Sequence, residues 1–169
     1  MKTISKISAV LAIALSSVSF AADGQWELFT GGFGSVDLTL QPASATSYSI
    51  AYSSRVTPTI GYNIASGFEF LLTVQLNGGG AATYWNFLGG LAYNFMGNWD
   101  EAMFLKAQAG VNILTTAAAT ASNFAWNVGV GKRFKIVDHV TYAPEIDFVM
   151  TNSSTSYLSI VPVQFSMQL

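Results

Sequence analysis

The chain has 169 residues, of which only 9% are charged and 51% are hydrophobic, whereas a soluble domain carries about 25% charged residues. It contains no cysteine, which excludes disulfide bonds and thiolate metal sites. Its formal net charge of -2 excludes the basic surface of a nucleic-acid-binding protein. This composition favours contact with lipid over a fully solvated surface.

The first residues have the layout of a secretory signal peptide. Two lysines give a positive start, residues 9–15 form an apolar stretch, and Ser19 and Ala21 are small residues at the positions that signal peptidase reads. The apolar stretch is shorter than the roughly 20 residues that a transmembrane helix needs. We therefore predict a cleaved signal peptide over 1–21 and an exported domain over 22–169.

Apolar and polar residues alternate with a period of two along this domain, as in strands that present opposite faces. Met103 and Leu105 fall on one face of such a strand, and Lys106 and Gln108 on the other. A helix would scatter these residues around its circumference. The fold class predicted is therefore all-β. The eight predicted strands cover approximately 25–40, 46–64, 67–77, 82–96, 102–114, 123–135, 139–150 and 157–169.

The connections between these strands differ in length at the two ends. Three tight turns lie at one end, which we call the turn end. The longer connections, rich in Ser, Thr, Ala and Gly, lie at the other, which we call the loop end. The predicted turns are 65–67, 97–100 and 136–138, and the predicted loops are 41–45, 77–81, 115–122 and 151–156. Short periplasmic turns and longer external loops are typical of an antiparallel up-and-down transmembrane β-barrel. An even number of strands also places both termini on the periplasmic side, so the turn end is predicted to be periplasmic.

Two features favour an apolar face that points outward, although a soluble barrel shows the same alternation with the apolar face inward. The polar face consists mainly of small and amide residues, which suit a narrow, packed lumen. The apolar face carries aromatic residues near the strand ends, like the girdles at the two bilayer interfaces. The predicted girdle residues are Trp26, Tyr62, Phe68, Tyr93, Phe95, Phe134 and Tyr142 at the turn end, and Tyr48, Tyr52, Trp85 and Tyr157 at the loop end.

The pattern and topology resemble the small eight-stranded outer-membrane barrels of the OmpA/OmpX type, without a sharp residue motif. Segment 157–169 is similar to the C-terminal signal by which the barrel-assembly machinery recognises such proteins. The family pattern usually ends in Phe, and Leu169 departs from it. The residues predicted to share the apolar face of this segment are Tyr157, Val161, Val163, Phe165, Met167 and Leu169.

The resemblance supports the fold and says little about function. It implies a monomer in the bacterial outer membrane, in contact with lipid and lipopolysaccharide. It also implies that periplasmic chaperones and the barrel-assembly machinery are partners during biogenesis.

Three prolines fall inside predicted strands, at a comparable distance from the turn end. Pro58, Pro144 and Pro162 each remove a hydrogen-bond donor from the sheet. We therefore expect bulges or irregular pairing at one level of the wall.

Charged residues on the polar face are the most specific feature of the predicted lumen. Because an eight-stranded barrel is only wide enough for its own side chains, we expect these charges to form ion pairs that close it. The alternative is a narrow ion path. The residues concerned are Glu27, Asp37, Glu69, Glu145 and Asp147, facing Arg55, Lys106, Arg133 and Lys135.

An enzymatic role has little support in the sequence. Small outer-membrane barrels include lipid-modifying hydrolases, which use His with Ser or acidic partners. His139 is the single histidine, it lies beside the predicted turn 136–138, and no His-x-Ser arrangement is present. We predict no catalytic residue, cofactor or metal ligand.

The sequence thus predicts a non-enzymatic barrel with a structural or envelope role. The alternatives are a narrow channel or transporter for small solutes, hydrophobic ones included, and a lipid-modifying enzyme.

Overall fold

The computed structural model describes residues 24–30, 35–40, 49–53, 55–65, 67–79, 82–96, 98–152 and 155–169. The predicted signal peptide and Tyr48 lie outside these ranges. Asp37, Tyr52 and Arg55 lie in strands of which only the backbone is described. Within the described ranges, no helix is long and apolar enough to cross a membrane.

The described residues form one antiparallel sheet of fourteen strands and one turn of 3-10 helix, Trp99–Glu101. The strands are β1 (Trp26–Phe29), β2 (Ser35–Leu40), β3 (Ser49–Ser53), β4 (Arg55–Val56), β5 (Thr59–Ala65), β6 (Phe68–Gly79), β7 (Ala82–Phe95), β8 (Met103–Thr116), β9 (Thr120–Lys132), β10 (Phe134–Val137), β11 (Val140–Tyr142), β12 (Glu145–Asn152), β13 (Thr155–Val161) and β14 (Phe165–Gln168).

The order of strands in the sheet brings the two ends of the domain together. Neighbouring strands run in the order β10, β11, β14, β1, β5, β6, β7, β8, β9, β12, β13, β2, β3, and β4 pairs with β6. The early strands β1 and β2 therefore pair with the last strands, β14 and β13. The sheet curls so that its N-terminal and C-terminal parts are hydrogen-bonded to each other.

The irregularities expected at the three prolines are present. Pro58 separates β4 from β5, Pro144 separates β11 from β12, and Pro162 separates β13 from β14. The proline carbonyl oxygens keep their partners: that of Pro58 accepts from the Val74 N–H at 3.1 Å, and that of Pro144 from the Lys132 N–H at 3.2 Å. The strands therefore break where a donor is missing, while the wall stays bonded across the break.

The inward-facing positions change phase at Pro162. Val161 is buried, Pro162 and Val163 are both exposed, and Gln164 is buried again. One additional residue at such a break turns every later side chain to the opposite face. The prediction that segment 157–169 presents one continuous apolar face is therefore wrong, because Val161 lies inside and Val163 outside.

Burial along the strands is the reverse of that in a soluble barrel. In β6, Glu69, Thr73 and Gln75 are buried, whereas Phe70 and Leu72 are 41% and 52% exposed. Water does not favour a continuous apolar surface of this kind, so the outer face suits a lipid environment. The inner face is the polar one, as the alternation predicted.

The predicted asymmetry is not found among the connections with described residues, and the predicted loop 41–45 lies outside those residues. Pairing of β8 with β9 extends to Thr115 and Thr120, which leaves a short connection where a loop over 115–122 was predicted. The longest connection with described residues lies at the turn end, between Phe95 and Met103. It was predicted to be a tight turn, and it is long because it carries a tryptophan that packs inside the sheet.

Candidate functional site

The connection between β7 and β8 folds into the turn end of the lumen. Its 3-10 turn buries Trp99, and Ala102 behind it is fully buried. The Ala102 carbonyl accepts the Arg133 backbone N–H at 2.9 Å, at the one residue that separates β9 from β10. This bond continues the pairing of β8 with β9, in which Met103 lies opposite Lys132, and holds the end of the connection against the neighbouring strand.

Arg133 is the centre of a fully buried ion cluster beneath this turn. Its Nε and Nη2 donate to the two carboxylate oxygens of Glu27 at 3.1 and 2.9 Å, and Nη2 also donates to Glu69 Oε2 at 3.0 Å. Nη1 donates to Asn94 Oδ1. A bidentate arginine–carboxylate pair is among the strong hydrogen-bonded contacts, and the three charged side chains have no exposed surface.

Aromatic rings enclose the Arg133 guanidinium. Its central carbon lies 4.8 Å from the ring centre of Phe104, 5.3 Å from that of Trp99 and 5.5 Å from that of Phe29. These distances are those of cation–π contacts. The Trp99 indole N–H also donates to Glu27 Oε2 at 2.9 Å, so the turn both covers the cluster and forms part of its hydrogen bonding.

A second ion cluster lies further along the lumen. Lys106 Nζ contacts Glu145 Oε1 at 2.8 Å and Asp147 Oδ1 at 3.1 Å. Gly129 lies between Lys106 and Asp147 in the sheet and pairs with both. A Cβ at Gly129 would clash with Asp147 Oδ1 and lie 2.8 Å from Lys106 Cε. Because Gly129 has no side chain, the Lys106 side chain can pass over β9 and reach the carboxylates of β12.

Amide and hydroxyl side chains fill the lumen toward the loop end. Gln108 Nε2 donates to Thr73 Oγ1 at 2.8 Å. Asn112 Nδ2 donates to Asn86 Oδ1 at 2.6 Å, and Asn86 Nδ2 donates to Gln75 Oε1 at 2.8 Å. The two asparagine bonds join neighbouring strands, whereas the Gln108–Thr73 bond passes over β7 and joins β8 to β6. These bonds satisfy polar groups that would otherwise be costly to bury.

The space beside the two ion clusters is small. A cavity of about 10 Å³ is lined by Phe29, Phe104, Lys106 and Glu145, among others. This volume is about that required for one water molecule. Among the described residues, the side chains around Lys106 are therefore closely packed.

Lys135 does not face the lumen, and this prediction was wrong. Its ammonium lies at the rim and contacts Asp100 Oδ2 at 2.9 Å and Asp138 Oδ1 at 3.0 Å. Strand β10 extends past the buried clusters, so the side chains on its inner face lie beyond the enclosed part of the lumen. The hydrogen bond from Lys135 lowers the pKa of Asp138, which is fully exposed. This network ties the 3-10 turn to the turn between β10 and β11.

The predicted aromatic residues at the turn end contact each other in groups. Tyr93 is partly exposed and lies between the rings of Phe68 and Phe95, at 4.9 and 6.2 Å. The remaining contacts are those of Trp26 with Tyr62 at 4.7 Å, and of Tyr142 with Phe134 and Phe165, both at 6.0 Å. At the loop end, Trp85 is exposed and stacks near Phe87, and Tyr157 is partly exposed.

The remaining residues singled out by the sequence lie near the turn end. Met167 and Leu169 are exposed on the outer face, and Phe165 is partly exposed. His139 lies in the exposed turn between β10 and β11 at a φ of 66°, and its carbonyl accepts the Gln168 N–H at 2.9 Å. No group of residues suited to hold a metal ion occurs among the described side chains.

Sequence reasoning missed Trp99, Asn94 and Phe104 as parts of the cluster. The available signal was a tryptophan in a supposed tight turn, followed by Asp100 and Glu101. A side chain of that size buries a large apolar area when it finds a pocket, which argues against an exposed turn.

The fold is shared with solved bacterial barrels at low sequence identity. The N-terminal β-barrel domain of Pseudomonas aeruginosa OprF matches with a TM-score of 0.61 and 10% identity, over 88% of this chain and 100% of that domain. Neisserial surface protein A matches with a TM-score of 0.62 and 10% identity, over 89% and 100%. Ail, the attachment invasion locus protein of Yersinia pestis, matches with a TM-score of 0.54 and 7% identity, over 88% and 100%.

The chain has the fold of the small outer-membrane β-barrels. These neighbours and the apolar outer face support the outer-membrane location predicted from the sequence. No protein-family model matches the chain, and no curated protein matches it in sequence.

Proposed function

We propose that this chain is an eight-stranded outer-membrane barrel with a closed lumen and a non-enzymatic, structural role in the envelope. The pairing order supports the strand count. If consecutive strands that do not pair with each other are joined, the wall consists of β1–β2, β3–β5, β6, β7, β8, β9–β10, β11–β12 and β13–β14. The pairing of β1 with β14 and of β2 with β13 closes this set.

The Arg133 cluster is the observation that carries the proposed closed lumen. Its guanidinium is held by Glu27, Glu69 and Asn94 and covered by Trp99, all of them buried. To open this end, the protein would have to separate a desolvated ion pair, which costs several kcal/mol. The lumen therefore serves as a packed core, and the protein contacts its partners through the outer wall.

The partners that we propose follow from that wall. Lipid and lipopolysaccharide cover the exposed apolar positions, and the barrel is a monomer. Periplasmic chaperones and the barrel-assembly machinery act on the chain during insertion, through a C-terminal segment that contains Phe165, Met167 and Leu169. Met167 and Leu169 are exposed on the outer face, where an assembly factor has access to them.

Planar-bilayer conductance tests the closed lumen. The protein is first shown to fractionate with the outer membrane and to change its gel mobility on boiling, as folded barrels do. We then expect no steady single-channel current from the wild type, and brief openings from Trp99→Ala, which removes the cover of the cluster. A stable wild-type current would establish the channel instead.

An assay of lipid modification tests the absence of enzymatic activity. The wild type and His139→Gln are compared on purified lipid A and on phospholipid. We expect neither protein to change the mass of either substrate. A change that the wild type makes and the variant does not would establish an enzyme.

A further inference from the structure

Lys132 lies on the outer face of the wall, where apolar residues predominate. It is exposed, whereas its neighbours Gly131 and Arg133 are buried. Along β9 the same outer face carries Val128 and Val130, which are also exposed. Among the strand residues whose side chains are described, Lys132 and the rim residue Lys135 are the only exposed charged ones.

The Lys132 side chain extends toward the turn-end rim. Its ammonium lies 5.1 Å from the ring centre of Phe134, which is two residues nearer to the turn end. A lysine in this position keeps its stem against the wall and its charge at the bilayer interface. Lys132 makes no ion pair with any described residue, whereas Lys135 is bound by Asp100 and Asp138.

Lys132 lines a cleft at the rim. The volume of this cleft is about 430 Å³, which is within the size range of small-molecule sites. The cleft is lined by Met96, Glu101, Lys132, Arg133, Phe134 and Lys135. Glu101 is exposed at the end of the 3-10 turn, and it has no ion-pair partner among the described residues. Because the charges of Arg133 and Lys135 are already paired, the cleft offers one free cation and one free anion in its described lining.

We propose that this cleft binds the headgroup of an aminophospholipid in the periplasmic leaflet, with the phosphate on Lys132 and the primary amine on Glu101. A primary ammonium group has N–H donors for a carboxylate, whereas a quaternary choline nitrogen has none. The acyl chains lie along the outer face of β9, over Val130 and Val128. Such a site would hold a specific lipid at the periplasmic rim of the barrel. The proposal rests on the membrane insertion proposed above.

Native mass spectrometry of the detergent-solubilised full-length barrel tests the site, with dioleoyl phosphatidylethanolamine as the probe. Only protein that shows the mobility change on boiling is used, so a failed barrel is recognised separately from a failed lipid site. We expect one bound lipid, with weaker binding of the phosphatidylcholine and phosphatidylglycerol analogues. Lys132→Ala should lower the affinity for the ethanolamine lipid about tenfold, and Lys132→Arg should restore it.

Two further variants separate the proposed contacts from a general effect on the wall. Glu101→Gln should abolish the preference for ethanolamine over glycerol headgroups while leaving phosphatidylglycerol binding unchanged. Ile64→Ala, which shortens an exposed residue near the turn end of β5, should bind lipid like the wild type. Equal binding of all three lipids, or wild-type affinity in Lys132→Ala, would overturn the proposal. Full displacement of the lipid by inorganic phosphate would also overturn it, in favour of a site for free anions.

Discussion

Trp99 and Glu27 are joined by a hydrogen bond of 2.9 Å from the indole N–H to Glu27 Oε2, although they are 72 positions apart in the chain. The bond connects a residue of the 3-10 turn between β7 and β8 to the first strand of the sheet. It also places the indole over the Arg133 guanidinium. The same tryptophan therefore covers the end of the lumen and stabilises the ion cluster within it.

Trp99→Phe should destabilise the barrel more than Trp26→Phe. The first substitution removes the indole donor to the buried Glu27 carboxylate and leaves only its bonds from Arg133. We expect a loss of about 1–3 kcal/mol in the free energy of unfolding. Trp26 is 52% exposed on the outer wall, and its substitution should cost less than about 1 kcal/mol. Urea unfolding in lipid vesicles, followed by the fluorescence of the remaining tryptophans, measures both. Equal losses would contradict a special role for the indole N–H.

Arg133→Met should be far more harmful than Lys135→Met. Removing the buried cation leaves the carboxylates of Glu27 and Glu69 buried without an ion-pair partner. We expect this to lower the free energy of unfolding by about 3–5 kcal/mol. Lys135 is exposed at the rim, where an ion pair contributes about 0–1 kcal/mol. Equilibrium unfolding in vesicles compares the two variants. Adding Glu27→Gln and Glu69→Gln to Arg133→Met should recover part of the loss, and no recovery would argue against uncompensated charge as its cause.

Gly129→Ala and Gly89→Ala form a matched pair of substitutions in strands β9 and β7. The new methyl group at 129 would clash with the Lys106–Asp147 contact, whereas a Cβ at 89 meets its nearest atom, Leu72 Cδ2, at 3.6 Å. We expect Gly129→Ala to cost about 1–3 kcal/mol and Gly89→Ala to be neutral within about 1 kcal/mol. The mobility change on boiling, recorded against temperature, ranks the variants. The opposite ranking would mean that Lys106 does not need the space at Gly129.

His139→Gly should stabilise the turn between β10 and β11, and His139→Val should destabilise it. The φ of 66° at His139 lies in the left-handed region, which glycine adopts without strain and a β-branched residue avoids. We expect a gain of up to about 1 kcal/mol for glycine and a loss of about 1–2 kcal/mol for valine. Thermal unfolding in micelles measures the difference. A stabilising valine would show that this turn adopts another conformation.

The polar identity of the lumen could be predicted from the sequence, but the pairing of its charges could not. Alternation put Glu27, Lys106 and Arg133 on the inner face because side chains on a strand point to opposite sides in turn. Which cation meets which carboxylate depends on the register between strands distant in the chain. Lys135 shows the same difficulty. The alternation placed it on the inner face, but it lies so near the end of its strand that no enclosed lumen surrounds it.

The sequence by itself determined the alternation of the strands, the apolar outer wall and the breaks at Pro58, Pro144 and Pro162. These features follow from local chemistry: the two-residue repeat of a strand and the missing N–H of proline. Only the tertiary structure decided that Trp99 turns into the lumen, that Arg133 is held by Glu27 and Glu69, and that the inward phase changes at Pro162. Such contacts join segments remote in sequence, and they form only when the curled sheet brings its two ends together.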